Sequence, residues 1–457
     1  MLASVAAAAP LFLPLPPMLA VAAVVAIGLS PLALMFVLHN PFLLCLIFVV
    51  FSFFRIHEAF PVLAPLRIPQ LMAIPTIAVL LWRLFGTRTV RPFWSRELTV
   101  FTIFFGLVTI GVFAATSRPT ALAYWSATYV KIFAMVLTIA WLARQPKDFA
   151  LAARAIVLAG TVIALVALYN KVNGIGLVEG TRVTIARDMQ SVLGDPNDLS
   201  LVLLFPLSFA VSLVVTRIGW PTTVLGGVAA VCIVMAIIAT QSRGGLLGAA
   251  AVFGIFGSRI IKSKVVLVGI GIVVLLALFA VAGISGRASG GAAEAGIDES
   301  SMGRIYAWGA AWRMALARPL TGVGLDNFTS NYFFYSAHWD GMNHAVHSTW
   351  FGVLGETGFP GLIAFIAMVA LIGHTAFTTA RTVEQRSAPP SVRAMAHALA
   401  AGIVAFCIAG TFLTQGFTWP LYILLALCVA VSHYAKGLSR NATTDLKPSG
   451  TKGEFPK

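Results

Sequence analysis

Apolar runs of membrane-spanning length recur along the whole of this 457-residue chain, and nothing constrains its fold more. A helix needs about 20 residues to cross ~30 Å of hydrocarbon. Bilayer lipid offers no partner for backbone N–H and C=O groups, so each run must satisfy its own backbone as a helix. The alternating pattern of a membrane β-barrel is not sustained anywhere in the sequence. Composition agrees: 59% of residues are hydrophobic and 10% charged, and the mean hydropathy is +0.91, whereas soluble domains carry about 25% charged residues. The expected fold class is all-α, a polytopic transmembrane helical bundle.

Hydropathy and basic loops together place spans near 18–38, 41–54, 70–86, 98–116, 123–142, 149–169, 198–216, 221–240, 244–258, 265–284, 357–379, 395–414 and 417–434. These lengths give about 12–14 spans. The first 17 residues are proline-rich and apolar, leave room for another short or re-entrant segment, and lack the basic n-region of a cleaved signal peptide. The chain then divides into N-terminal transmembrane helices (1–190), central helices (191–284), a polar loop region carrying short helices (285–356), C-terminal helices (357–435) and a basic tail (436–457).

A formal net charge of +15 would suggest nucleic acid in a soluble protein. Here the charge sits in short loops: Arg83, Arg88, Arg91 and Arg96; Arg144, Lys147 and Arg154; Arg259, Lys262 and Lys264; Arg381, Arg386 and Arg393. Lys436, Arg440, Lys447, Lys452 and Lys457 follow in the tail. Such clusters are the positive-inside signal, which puts these loops and the C-terminus in the cytoplasm, with membrane lipids and not nucleic acid as neighbours. Counting back from the tail puts residues 55–58 (RIHE), 117–122, 170–197, QSRGG at 241–245 and 285–356 on the opposite, outer face. Four cysteines, Cys45, Cys232, Cys407 and Cys428, lie in apolar runs without paired spacing and read as buried spectators.

Three polar stations fall on that outer face. Arg243 interrupts two apolar runs in TQSRGG, Arg304 lies in SMGRIYAW, and His347 lies in NHAVHSTW. An arginine at a helix end is either an interfacial anchor or part of a site, and Gly244 and Gly245 beside Arg243 allow close approach of backbone or ligand. Guanidinium matches phosphate oxygens and stays charged at any biological pH. Imidazole titrates near neutrality and accepts a proton from a hydroxyl. Together they suit group transfer from a lipid-linked diphosphate. Arg182 and Arg187 read as solvated loop charges that add to the field. Asp326 and Glu356 read as caps or hydrogen-bond acceptors first and as reserve bases second. His338, His344 and His347 cluster in sequence but complete no recognised metal pattern, so no metal and no cofactor is expected. In the 285–356 region, Ser300 or Ser301 would cap a helix ending at Pro319, with Tyr306, Trp308 and Trp312 in the interface. The turn LTGVGLDNF follows.

The order TQSRGG, SMGRIYAW, RPLTGVGLDNF and HSTWFGVLGETGFPGL resembles the bacterial O-antigen ligase and polymerase superfamily of membrane glycosyltransferases. FSFFRIHE (51–58) and GDPNDLSLVLLFPL (194–207) resemble a subgroup associated with exopolysaccharide or protein O-glycosylation. The resemblance implies a large periplasmic loop and an inner-membrane location. It also implies an inverting, metal-independent transfer of a glycan from undecaprenyl diphosphate to an acceptor hydroxyl on a glycan, lipid or protein, near flippase and export machinery. It carries diphosphate binding onto Arg243 and Arg304 and the acceptor side onto His347. The family has His-Asn where this chain has His347-Ser348, with Asn343 and His344 just before, so either His344 or His347 fills that role. A transporter or flippase of a lipid-linked or anionic solute is the competing reading; it would place polar groups at the bilayer midplane, where Lys131 and His374 come closest.

Overall fold

The computed structural model describes residues 40–60, 63, 68–189, 191–281, 299–339 and 341–445. The span expected at 18–38, the first 17 residues, the glycine-rich start of the polar region and the tail lysines Lys447, Lys452 and Lys457 lie outside them.

Every described element is helical apart from turns and one isolated bridge between Val178 and Arg182. The helices are α1 (Pro41–Phe53), the single turn α2 (Ile56–Ala59), α3 (Ile68–Leu81), α4 (Arg96–Phe113), α5 (Arg118–Leu142), α6 (Pro146–Asn173), α7 (Pro196–Thr216) and α8 (Trp220–Thr240). They continue as α9 (Arg243–Gly257), α10 (Lys264–Val281), α11 (Glu299–Ala317), α12 (Phe328–Tyr335), α13 (Thr349–Gln385), α14 (Pro390–Gly410) and α15 (Trp419–Asp445). Among the described residues, eight helices are long and apolar enough to cross a membrane, and four shorter apolar helices lie near α1, α3, α9 and α10. This is a polytopic helical bundle.

Local chemistry sets the helix starts. Proline stands in the first turn of α6, α7, α8 and α14, where its missing N–H costs nothing. Ser95, Asp195, Ser242 and Ser348 cap α4, α7, α9 and α13 by accepting from backbone N–H groups. The sequence placed a span at 357–379, but the helix begins eight residues earlier at Ser348's cap. It then breaks at Gly358 (φ 69°), where a Cβ would lie 2.4 Å from the Pro319 carbonyl oxygen. The sequence sees that break as a start because TGFP carries both a glycine and a proline.

The centre of the bundle is α7, α14 and α15. Their most apolar windows are 83%, 78% and 72% buried, against 39–50% for the other long spans. Close approach to α7 rests on small residues, as is common between membrane helices. A Cβ on Gly160 of α6 would meet Pro206 at 2.3 Å, one on Gly226 of α8 would meet the Ala210 carbonyl at 2.7 Å, and one on Gly248 of α9 would meet Leu204 at 2.4 Å.

The bundle has two chemically distinct ends. At one, Arg144 donates to the carbonyls of Trp141 (2.6 Å) and Arg91, Ser391 donates to the Pro146 carbonyl, and Glu384 faces Arg259, Arg393 and His397. The basic loops thus gather together. The helices α7 and α14 run antiparallel from there: Ser212 bonds the Ala394 carbonyl near the basic end, while Asp198 at the start of α7 accepts from Gln415 beyond the end of α14. All the polar stations lie at this second end.

Candidate functional site

QSRGG resolves into a helix stop and a helix start. Gln241 takes a left-handed backbone (φ 52°), Ser242 accepts a bond from the Gly245 N–H at 3.2 Å, and Arg243 is the exposed first residue of α9. A helix N-terminus carries partial positive charge and unpaired N–H groups, which adds to the guanidinium's pull on an anion. The two glycines are buried and differ in use. A Cβ on Gly245 would lie 1.7 Å from Ser200 Oγ, and one on Gly244 would sit 3.5 Å from the Phe412 side chain. Helix packing against α7 therefore accounts for the missing side chain at Gly245, without invoking clearance for a ligand.

Phe412, in the link after α14, joins two of the stations. Its ring lies beside Gly244 and also under Arg304, whose Cζ is 5.9 Å from the ring centroid. Arg304 sits on α11, a helix packed on the first turns of α13: Trp308 stacks on Phe351 at 5.3 Å, and Trp312 meets Phe359 edge-on at 5.7 Å. Tyr306 instead stacks on His338 at 4.8 Å. The aromatic residues read as interfacial thus also dock α11 on its neighbours. The helix begins at Glu299, so Ser300 and Ser301 lie within its first turn, and it ends two residues before Pro319.

His347 is held immediately before α13. Its backbone is left-handed (φ 46°), a costly conformation for a non-glycine residue, of order 1–3 kcal/mol. Two locks hold it there. Ser348 caps the helix, and Thr349 donates to the Leu413 carbonyl at 2.7 Å while accepting from the Gln415 N–H at 3.2 Å. Burial pushes the imidazole below its ordinary pKa; the nearby Arg304 guanidinium and His344 push the same way, and Asp195 opposes them. The ring is therefore neutral at neutral pH and able to take a proton. His344, the other candidate, packs edge-on against Tyr332 at 5.4 Å.

Asp326 belongs to a neighbouring layer. Its backbone is left-handed (φ 58°), and burial raises its carboxyl pKa. Glu356 accepts from the N–H groups of Asp326 (3.0 Å) and Phe328 (3.2 Å). The turn before them pairs with α13, Val323 N–H to Gly355 O and Gly324 N–H to Glu356 O. Asn327 then ties this layer to the link between α4 and α5 through the Ser117 N–H at 2.9 Å. This buried carboxylate organises the loop floor.

Three residues differ from their sequence reading or escaped it. Arg182 is buried and not solvated: it donates to the Thr240 carbonyl (3.1 Å) and to Asn197 (2.8 Å), clamping the 170–197 loop between the ends of α8 and α7. Arg187 is exposed as expected. Asp195, the α7 cap, lies close enough to His347 to raise its pKa, and the sequence reading gave it no role. Phe412 had none, being one apolar residue among many.

The structure thus brings Arg304 close enough to His347 to act on its charge, sets Phe412 against both Arg304 and Gly244, the residue after Arg243, and puts Asp326 in the layer built on Glu356. No curated protein matches the chain. Residues 228–366, from within α8 to within α13 and including all three stations, match the family model described as O-antigen ligase. Over those residues the chain is similar to the O-antigen ligase family, and its eight membrane-length apolar helices are those of a multi-pass membrane protein.

Proposed function

We propose that the chain transfers a glycan from undecaprenyl diphosphate to an acceptor hydroxyl, with inversion and without a metal ion, at the periplasmic face of the bacterial inner membrane, its C-terminus in the cytoplasm. The observation that carries this reading is the half-buried His347, its pKa lowered by desolvation and by the nearby Arg304 guanidinium, at the end of the bundle opposite the basic loops.

The acceptor oxygen attacks the anomeric carbon and gives its proton to the His347 imidazole. The bond from that carbon to the diphosphate oxygen breaks with the electron pair leaving on oxygen. Arg304, Arg243 and the α9 N-terminus stabilise the charge that develops there; fixed cations in a partly desolvated site are worth more than in water. One displacement inverts the anomeric centre. The charge of Asp195 favours the protonated ring and so stabilises the imidazolium once formed. Its proximity to the ring, together with the left-handed backbone of His347, favours His347 over His344 as the base.

The test is reconstitution of the full chain in liposomes with an undecaprenyl-diphosphate-linked glycan and candidate acceptors, in the presence of a chelator. The expected result is a new glycosidic bond, lost by about 10²–10⁴-fold in His347→Ala. Unchanged transfer in Arg243→Ala, Arg304→Ala and His347→Ala would refute the site. Movement of the lipid-linked glycan across the bilayer without bond formation would support the transporter reading instead.

A further inference from the structure

Lys131 lies about midway along α5, a helix long enough to span the membrane. A cation at that depth faces a cavity or marks a pathway by default, and this one lines a cavity of about 280 Å³ between α1, α2, α5 and the start of α15. Among the described residues its ammonium has no ion-pair partner, and it is only half-buried by its own neighbours. Arg55 lines the same cavity from a left-handed position (φ 50°) at the start of α2. One carboxylate is present, Glu58, and it is already engaged by Arg55 at 2.7 Å and by the Ser191 hydroxyl. Two cations against one occupied carboxylate leave the cavity net positive.

Three further observations point to a ligand. Among the described residues, Ser52, 8% exposed and lining this cavity, has no partner for its hydroxyl. His57 Nδ1 is likewise buried without a partner in the same wall. Buried polar atoms in native proteins nearly always find partners, so unmet ones around one space mark where a ligand atom belongs. The third is backbone geometry. Just before Lys131, α5 loosens into a π turn over Trp125–Tyr129, and Ala127 and Thr128 of that turn line the cavity; π turns inside α-helices are frequent at functional sites. A second space of about 150 Å³ shares Ser52, Arg55, Thr128 and Trp419 and reaches Gln415, the partner of Asp198.

The geometry points to an oxyanion-binding site, for a phosphate or carboxylate group, held between Lys131 and Arg55 with Ser52 and His57 completing its hydrogen bonds. It is separate from the Arg243, Arg304 and His347 cluster. The group arrives either on a lipid headgroup or as a free anion.

Binding is measured by calorimetry on the full chain in zwitterionic nanodiscs, without glycan donor, in an Arg304→Ala background that removes the proposed diphosphate site. The probes are dihexanoyl phosphatidic acid, dihexanoyl phosphatidylcholine and inorganic phosphate. The expected result is binding of an anionic probe and not of phosphatidylcholine, weakened at least about tenfold by Lys131→Gln and kept by Lys131→Arg. Ser52→Ala weakens it about fivefold; removing an unpartnered hydroxyl costs the free protein nothing, so that loss reads a ligand contact. Phosphatidic acid binding without phosphate binding assigns a headgroup, and phosphate binding alone assigns a soluble anion; both support the site. No anionic binding in that background, or binding indifferent to Lys131→Gln, overturns it while leaving the transfer reading intact.

Discussion

Replacing Gly245 by alanine separates two reasons for the SRGG glycines. The added Cβ would stand 1.7 Å from Ser200 Oγ and 2.8 Å from Ser200 Cβ, where non-bonded carbon contacts prefer about 3.5–4.0 Å. Rotating the serine relieves the first clash but not the second, because the Ser200 Cβ is fixed by the backbone of α7, the most buried of the long spans. The two helices must therefore separate by several tenths of an ångström. Overpacking of this kind costs about 1–3 kcal/mol, and it displaces the start of α9, which carries Arg243. Ser200→Gly alone costs about 0.5 kcal/mol through helix propensity. The double variant should be more stable than the sum of the singles by about 1–2 kcal/mol, since contacting sites couple. Thermal unfolding followed by fluorescence reads the stability, and glycan transfer is measured on the same preparations. A Gly245→Ala protein as stable as the parent, or one that Ser200→Gly fails to rescue, refutes the packing argument. Lost transfer at unchanged stability would instead restore ligand clearance as the reason.

Transfer should depend on pH through His347. Its active form is the neutral ring, and burial with Arg304 holds its pKa below the ordinary value of about 6.5. Activity is therefore retained on acidification through that value and lost only further down. Arg304→Gln, which removes a cation that keeps the proton off, should shift the acid limb of the rate profile to higher pH; an unmoved limb would show that the limb does not report His347. Glu356→Ala strands the N–H groups of Asp326 and Phe328, costing about 2–5 kcal/mol. Glu356→Gln, which keeps an acceptor oxygen, should cost about half, read by thermal unfolding and by proteolysis of the loop near Phe328. Arg182→Met removes bonds to the Thr240 carbonyl and Asn197 and should destabilise by about 2–4 kcal/mol. A solvated arginine would show no loss in the same melt.

Much of the architecture is legible in the sequence because of the solvent it is built for. Lipid forces each apolar run to close its own hydrogen bonds, so span positions follow from composition. Where the reading slipped, a local signal had two meanings: TGFP marks a break inside α13, not its start. Arg182 shows the same limit. Nothing within the 170–197 loop says that its guanidinium is buried against the end of α8.

The sequence by itself determined that the chain is a helical membrane bundle, that its basic loops and its polar stations alternate along the spans, and which residue types could serve a diphosphate and a hydroxyl. The tertiary structure decided the rest. It set Phe412 against Arg304 and the start of α9, brought the charges of Arg304 and Asp195 to bear on His347, packed Gly245 against Ser200, and opened a cationic cavity between Arg55 and Lys131. Helix formation is a local matter of backbone satisfaction. Convergence of side chains from different helices depends on how whole helices pack.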